Sequence, residues 1–186
     1  MDGQLAVLDE GRAILDVRCS ERDGEVVRTV RLPQLTPRKM QYYWSRLKEF
    51  DHIFSDHTKT FEDFVNIFLY EKNGTFAASG IIWEVDDVGI LFLTNIQPGF
   101  AALGHFTFWD RKLCGREELM REMLRYLFAR FKFHRIYSEH GLYAANSISP
   151  FLKRIGFKKE GRKREAVLYK GDWFDVNQFS ILEHEV

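Results

Sequence analysis

A chain of 186 residues, 45% hydrophobic and 29% charged, has the balance of a folded domain and not that of a disordered tail. Its 27 basic and 27 acidic residues cancel, so the chain as a whole has no field that would gather nucleic acid or an anionic membrane. No apolar run approaches the roughly 18 residues of a membrane span, and the start MDGQLAVLDEGR lacks the basic and apolar regions of a signal peptide. Cys19 and Cys114 form no CxxC pair, which argues against a zinc site or a disulfide scaffold and makes both expected packing residues. The expectation is one cytoplasmic domain over 1–186.

Two β-like runs, QLAVL and RAILDVRC, flank DEG and predict an extra hairpin within residues 1–25; the turn-like ERDGE and a third strand, VVRTVRL, follow. In TPRKMQYYWSRLKEF, Thr36 can cap, Pro37 suits the first helical position, and Met40, Tyr43, Leu47 and Phe50 share a face. TFEDFVNIFLY predicts a second helix, with Thr60 and Asp63 at capping-box spacing and a stripe of Phe61, Phe64, Val65, Phe68 and Leu69. Three runs rich in aromatic and β-branched residues, GTFAASGIIWEV, GILFLTNIQ and ALGHFTFWD, predict an antiparallel meander. From Arg116 a stripe of Leu119, Met120, Met123, Leu124, Leu127, Phe128 and Phe131 predicts a long helix. RIYSEH reads as a strand, Ile148 to Ile155 as a short helix, and REAVLYK with WFDVNQFSIL as a hairpin over Gly171 and Asp172. The order βββ αα βββ α β α ββ is α/β or α+β with a mixed sheet.

Chemistry enters at FTFWDRKLCGREELMREML. A strand that ends in a basic, glycine-containing turn and feeds a long helix offers unpaired backbone N–H groups and the positive end of the helix dipole to a phosphate. Arg111, Lys112, Leu113, Cys114, Gly115 and Arg116 make up that turn, and Gly115 allows a close approach of the backbone. The stretch NSISPFLKRIGFKKEG adds Asn146, Ser149, Arg154, Gly156, Phe157, Glu160 and Gly161, and Gly171, Asp172, Asp175, Ser180, Leu182 and Glu183 or Glu185 continue the spacing. In these positions the chain, from Gly104 onward, resembles the GNAT superfamily of acetyl-coenzyme A dependent N-acyltransferases. More narrowly it is similar to the branch that acetylates ribosomal-protein N-termini.

The resemblance implies a mixed, mostly antiparallel twisted sheet flanked by helices, splayed between two central parallel strands, Leu103 to Asp110 and Arg135 to His140, with pantetheine in the gap. It implies acetyl-CoA as donor, held by residues 111–116 with Asn146 and Ser149, and direct acetyl transfer to a primary amine. The pyrophosphate motif is matched at Lys112 and Gly115, or one residue earlier from Arg111. Glu117 replaces its last small residue. Leu152 stands where many members carry an acid tyrosine, which makes Ser149 the expected proton donor to the thiolate; its alternative reading is a helix cap, with Pro150 at the first helical position.

For the base, Glu84, Asp86, His105, Glu139 and His140 qualify by residue type, and the resemblance ranks Glu139 and His105 first because strand positions beside the splay face the acyl group. Trp83, Trp109 and Tyr143 are candidate acceptor-pocket walls. The cluster KRIGFKKEGRKR reads as a solvated helix face and edge strand, more than as a contact to nucleic acid or to the 3′-phosphate. The competing readings are a non-catalytic GNAT-like binding module and an acyltransferase with a larger acyl donor. A homodimer through the C-terminal strands or the extra hairpin is a further expectation.

Overall fold

The computed structural model describes residues 11–21, 24–50, 52–72, 75–110 and 115–186. The first strand of the expected extra hairpin, QLAVL, and residues 111–114 of the phosphate turn lie outside the described residues.

An eight-stranded sheet organises the chain, in the order β1-β2-β5-β6-β7-β8-β10-β9. Strand β1 (Ala13–Glu21) pairs antiparallel with β2 (Gly24–Arg31), and the pair joins the sheet through two residue pairs of β2 with β5 (Ile81–Val85). Strands β6 (Gly89–Gln97) and β7 (Ala101–Phe108) complete the expected meander. Strand β8 (Arg135–Gly141) runs parallel to β7, and β10 (Asp172–Leu182) lies between β8 and the edge strand β9 (Lys158–Tyr169).

The helices follow their sequence signals where caps fix them. Helix α1 (Pro37–Leu47) starts at Thr36, whose hydroxyl accepts from the Lys39 N–H at 3.2 Å. Helix α2 (Phe61–Asn66) has the full capping box: Thr60 Oγ1 accepts from the Asp63 N–H at 3.1 Å, and Asp63 Oδ2 accepts from the Thr60 N–H at 2.8 Å. It is shorter than its apolar stripe, because Leu69 already belongs to β3 (Leu69–Lys72), which pairs with β4 (Thr75–Ala78) in a separate two-stranded sheet. The run GTFAASGIIWEV is thus two strands divided at Ser79 and Gly80.

Side chains of the main sheet alternate between two cores. On one face α3 (Arg116–Phe131) and α4 (Ala145–Arg154) cover Trp83, Leu91, Leu93, Ile136 and Phe179. On the other, α1 and α2 cover Ile82 and Ile90 together with Trp109. No helix among the described residues is long and apolar enough to cross a membrane.

Candidate active site

The parallel pair β7 and β8 is joined over three residue pairs only, Ala101–Arg135, Ala102–Ile136 and Leu103–Tyr137. Past Gly104 and Ser138 the strands separate, although β7 continues against β6 to Phe108 and β8 against β10 to Gly141. Two backbone edges therefore face each other across a wedge, where an amide-bearing chain can satisfy N–H and C=O groups that neither strand supplies to the other. A cavity of about 30 Å³ opens beside it, lined among others by Gly104, Phe106, Ser138 and Phe157.

Helix α3 follows Gly115, its N-cap, which lies in the left-handed region at φ 69° and has no side chain to cap the helix. The close approach that Gly115 permits is to β1: a Cβ there would lie 2.3 Å from Cys19 Cβ. Cys19 is buried, as a packing residue should be. Arg116 reaches back to donate to the Asp110 carbonyl at 2.8 Å, bracing the two ends of the phosphate turn. Glu117, the acid that departs from the motif, is held by Arg154 Nε at 2.8 Å, and this contact keeps its carboxyl below the usual range. Its charge is matched across the gap between α3 and α4.

The short helix corrects the reading of Ser149. It begins at Ala145, after a single 3-10 turn at Leu142–Ala144, so Ser149 and Pro150 lie inside it and not at its start. Ser149 caps nothing; its Oγ is 2.8 Å from His140 Nε2. Pro150 has no N–H to give the Asn146 carbonyl, and the Asn146 side chain is exposed. The helix stops as its Gly-Phe predicts: Phe157 N–H bonds to Leu152 O and Gly156 N–H to Lys153 O, with Gly156 at φ 104°.

On the opposite face lie His105 and Glu139. His105 lies flat on Phe92, its centroid 4.4 Å away, with Nε2 3.0 Å from Thr94 Oγ1. Burial pushes its pKa down to about 4, against a smaller upward pull from Glu139. Glu139 Oε1 accepts from Lys163 Nζ at 2.7 Å and from Gln178 Nε2 at 3.0 Å. Strand alternation thus brings these two together and places Ser149 with His140 across the sheet.

The remaining candidates have structural occupations. Glu84 is buried and paired with Lys39 Nζ at 2.6 Å. Asp86 turns the β5–β6 hairpin at φ 42°, accepts from the Thr29 N–H and faces Arg28 and Arg31. Trp83 is buried on the α3 face, edge-on to Phe131, and lines the cavity beside the wedge. Trp109 donates its indole N–H to the Asp87 carbonyl within the α1–α2 core. Tyr143 stacks on Tyr169 at 3.9 Å. Four of the seven cations in KRIGFKKEGRKR face a carboxylate, Arg154–Glu117, Lys158–Glu185, Arg162–Asp175 and Lys163–Glu139, so most of that field is spent locally.

Sequence reasoning passed over one feature, the segment between α1 and α2. Asp56 N–H donates to the Leu168 carbonyl, and its carboxylate accepts from the Lys170 and Gly171 N–H groups at 3.0 and 2.9 Å. The segment is thereby tied to the β9–β10 turn. An Asp in a loop carries no signal of such a distant partner.

The model of the GNAT acetyltransferase domain matches residues 25–177. The chain belongs to the GNAT acetyltransferase family. It is an acyl-CoA-dependent N-acetyltransferase with acetyl-CoA as donor, and the open backbone edges of the wedge fit an amide-bearing coenzyme. No curated protein matches the chain. Among solved structures, Mycobacterium smegmatis RimJ in complex with CoA-disulfide aligns at TM-score 0.67 and 14% identity, covering 92% of this chain and 88% of that one. A chimera of Vibrio cholerae spermidine N-acetyltransferase SpeG and hSSAT aligns at 0.66 and 18%, covering 84% and 96%. The V. cholerae spermidine N-acetyltransferase with CoA and spermine aligns at 0.64 and 17%, covering 85% and 96%. At these identities the likeness is one of fold.

Proposed function

We propose that the protein acetylates a primary amine by direct attack on acetyl-CoA in a ternary complex. The observation that carries this is the wedge between β7 and β8. It connects the face of α3 and α4, where Ser149 and Asn146 flank the coenzyme path, with the face of His105 and Glu139. The thioester carbonyl, set in the wedge, meets backbone N–H groups of β7, which stabilise the oxyanion. The amine approaches from the other face, where His105, neutral at physiological pH, offers a lone pair through water. Ser149 meets the departing thiolate.

Glu117, the acid that departs from the phosphate motif, is neutralised by Arg154 and so lends no support to a non-catalytic module. Spermidine is a reasonable first acceptor because two structural neighbours are spermidine N-acetyltransferases. The test is calorimetric titration with acetyl-CoA followed by thiol release across a panel of amines. Binding near micromolar, about 8 kcal/mol, with turnover of an amine is expected. Binding without turnover of any amine would return the binding-module reading to first place.

A further inference from the structure

A serine side chain is short and its hydroxyl rotates freely. Something behind Ser149 must aim it. Its side chain has His140 Nε2 at 2.8 Å. The His140 ring is 7% exposed and stacked on Phe179, with centroids 5.4 Å apart. Its Nδ1 finds no hydrogen-bond partner among the described residues, and neither does Oδ1 of Asn177, its cross-strand neighbour.

A neutral imidazole has one proton for two nitrogens. Placed on Nδ1, that proton would be a buried donor with no acceptor, and Ser149 would have to spend its own proton on Nε2. Placed on Nε2, it is donated to Ser149 Oγ, and the hydroxyl proton is left to point elsewhere. Burial, with Lys159 adding to it, lowers the ring's pKa to about 4, so the neutral ring, and with it this choice, prevails at physiological pH.

We propose that His140 is a positioning residue whose Nε2–H donates to Ser149 Oγ and turns the hydroxyl proton toward the sulfur of the coenzyme. The proposal rests on the acetyltransferase reading above. As the amine nitrogen bonds to the carbonyl carbon, the electron pair of the breaking carbon–sulfur bond stays on sulfur, and Ser149 shares its proton with that thiolate in a hydrogen bond. The amine's surplus proton leaves to solvent past His105, and the thiolate takes its own from solvent on release. No proton needs to pass through His140.

Two measurements test this. In protein labelled with 15N-histidine, two-bond proton–nitrogen spectra report the tautomer of His140, and protonated Nε2 with bare Nδ1 is expected. In a thiol-release assay with spermidine and an alanine-initiated peptide, His140→Ala should lower kcat by about 10-fold while KM for acetyl-CoA stays within about twofold. His140→Gln, which keeps an N–H donor, should recover most of the loss, and His140→Ala should cost nothing further in a Ser149→Ala background. A proton on Nδ1, a His140→Gln variant as slow as His140→Ala, or losses that multiply in the double variant would each overturn the assignment. If the wild type turns over neither amine, the tautomer decides alone: Nε2–H upholds the assignment, Nδ1–H overturns it, and the missing turnover counts against the acetyltransferase reading only.

Discussion

Replacing Gly115 by alanine puts a methyl group into space held by β1. The backbone at φ 69° disfavours any L side chain by about 1 kcal/mol, and the added carbon would come within 2.3 Å of Cys19 Cβ and 3.0 Å of Sγ. Carbon atoms in contact normally stand about 3.5–4.0 Å apart, so strand or helix must move. Overpacking of this kind costs about 1–3 kcal/mol, and with the backbone term the total is about 2–4 kcal/mol. For a chain of this length that lowers Tm by about 5–15 °C, read by circular dichroism without coenzyme. Cys19→Ala keeps the offending Cβ and should not rescue the variant, whereas Cys19→Gly removes it and should return the steric part. A Gly115→Ala protein melting with the wild type, or rescued equally by both second-site changes, would refute the reasoning. Substitution at Gly115 is therefore a test of the β1–α3 contact before it is a test of coenzyme binding.

Leu152, fully buried on the inner face of α4, stands where the family resemblance leads one to expect a tyrosine; Leu152→Tyr should cost about 1–3 kcal/mol in denaturant unfolding and give no gain in kcat. Arg154→Met should barely change stability, since the pair with Glu117 is largely exposed, yet it leaves a bare carboxylate at the coenzyme end and should weaken acetyl-CoA binding by about 1 kcal/mol, about fivefold by titration. Glu117→Gln in the same chain should restore it. His105 and His140 both have folded pKa values near 4, below the ordinary 6.5, so the unfolded chain binds more protons between these values. Stability is full above pH 6.5 and falls as pH drops toward 4, by about 2–3 kcal/mol per ring, and His140→Gln should flatten half of that loss in urea melts taken across this window.

Capped helices were legible because their signals are local: Thr36 with Pro37, and Thr60 with Asp63, each act within one turn. The stripe from Leu119 to Phe131 and the Gly156–Phe157 stop were equally plain. Two boundaries failed for a shared reason. The stripe through Phe68 and Leu69 continues past the end of α2, because the same apolar residues serve a helix end and the strand after it. The first half of β9, KKEGRK, shows no alternation, because an edge strand buries so little that charge is tolerated at every position. Ser149 was singled out through the family resemblance, but its place inside α4 was not legible, since Ser-Pro looks like a helix start. The pairing with His140 depends on how β8 and α4 pack, which no periodicity encodes.

Strand β10 stands between β8 and β9, although it is made after both. During synthesis β8 therefore emerges with its outer edge open, held only by three residue pairs to β7, and waits for the later strand to cover it. Such non-local closure is a slow kind of folding step. Strand β8, one wall of the wedge, is flanked along its length on its other edge only when that step is complete. Competence for acetyl-CoA would arrive late and all at once, together with the hairpin turn that anchors Asp56.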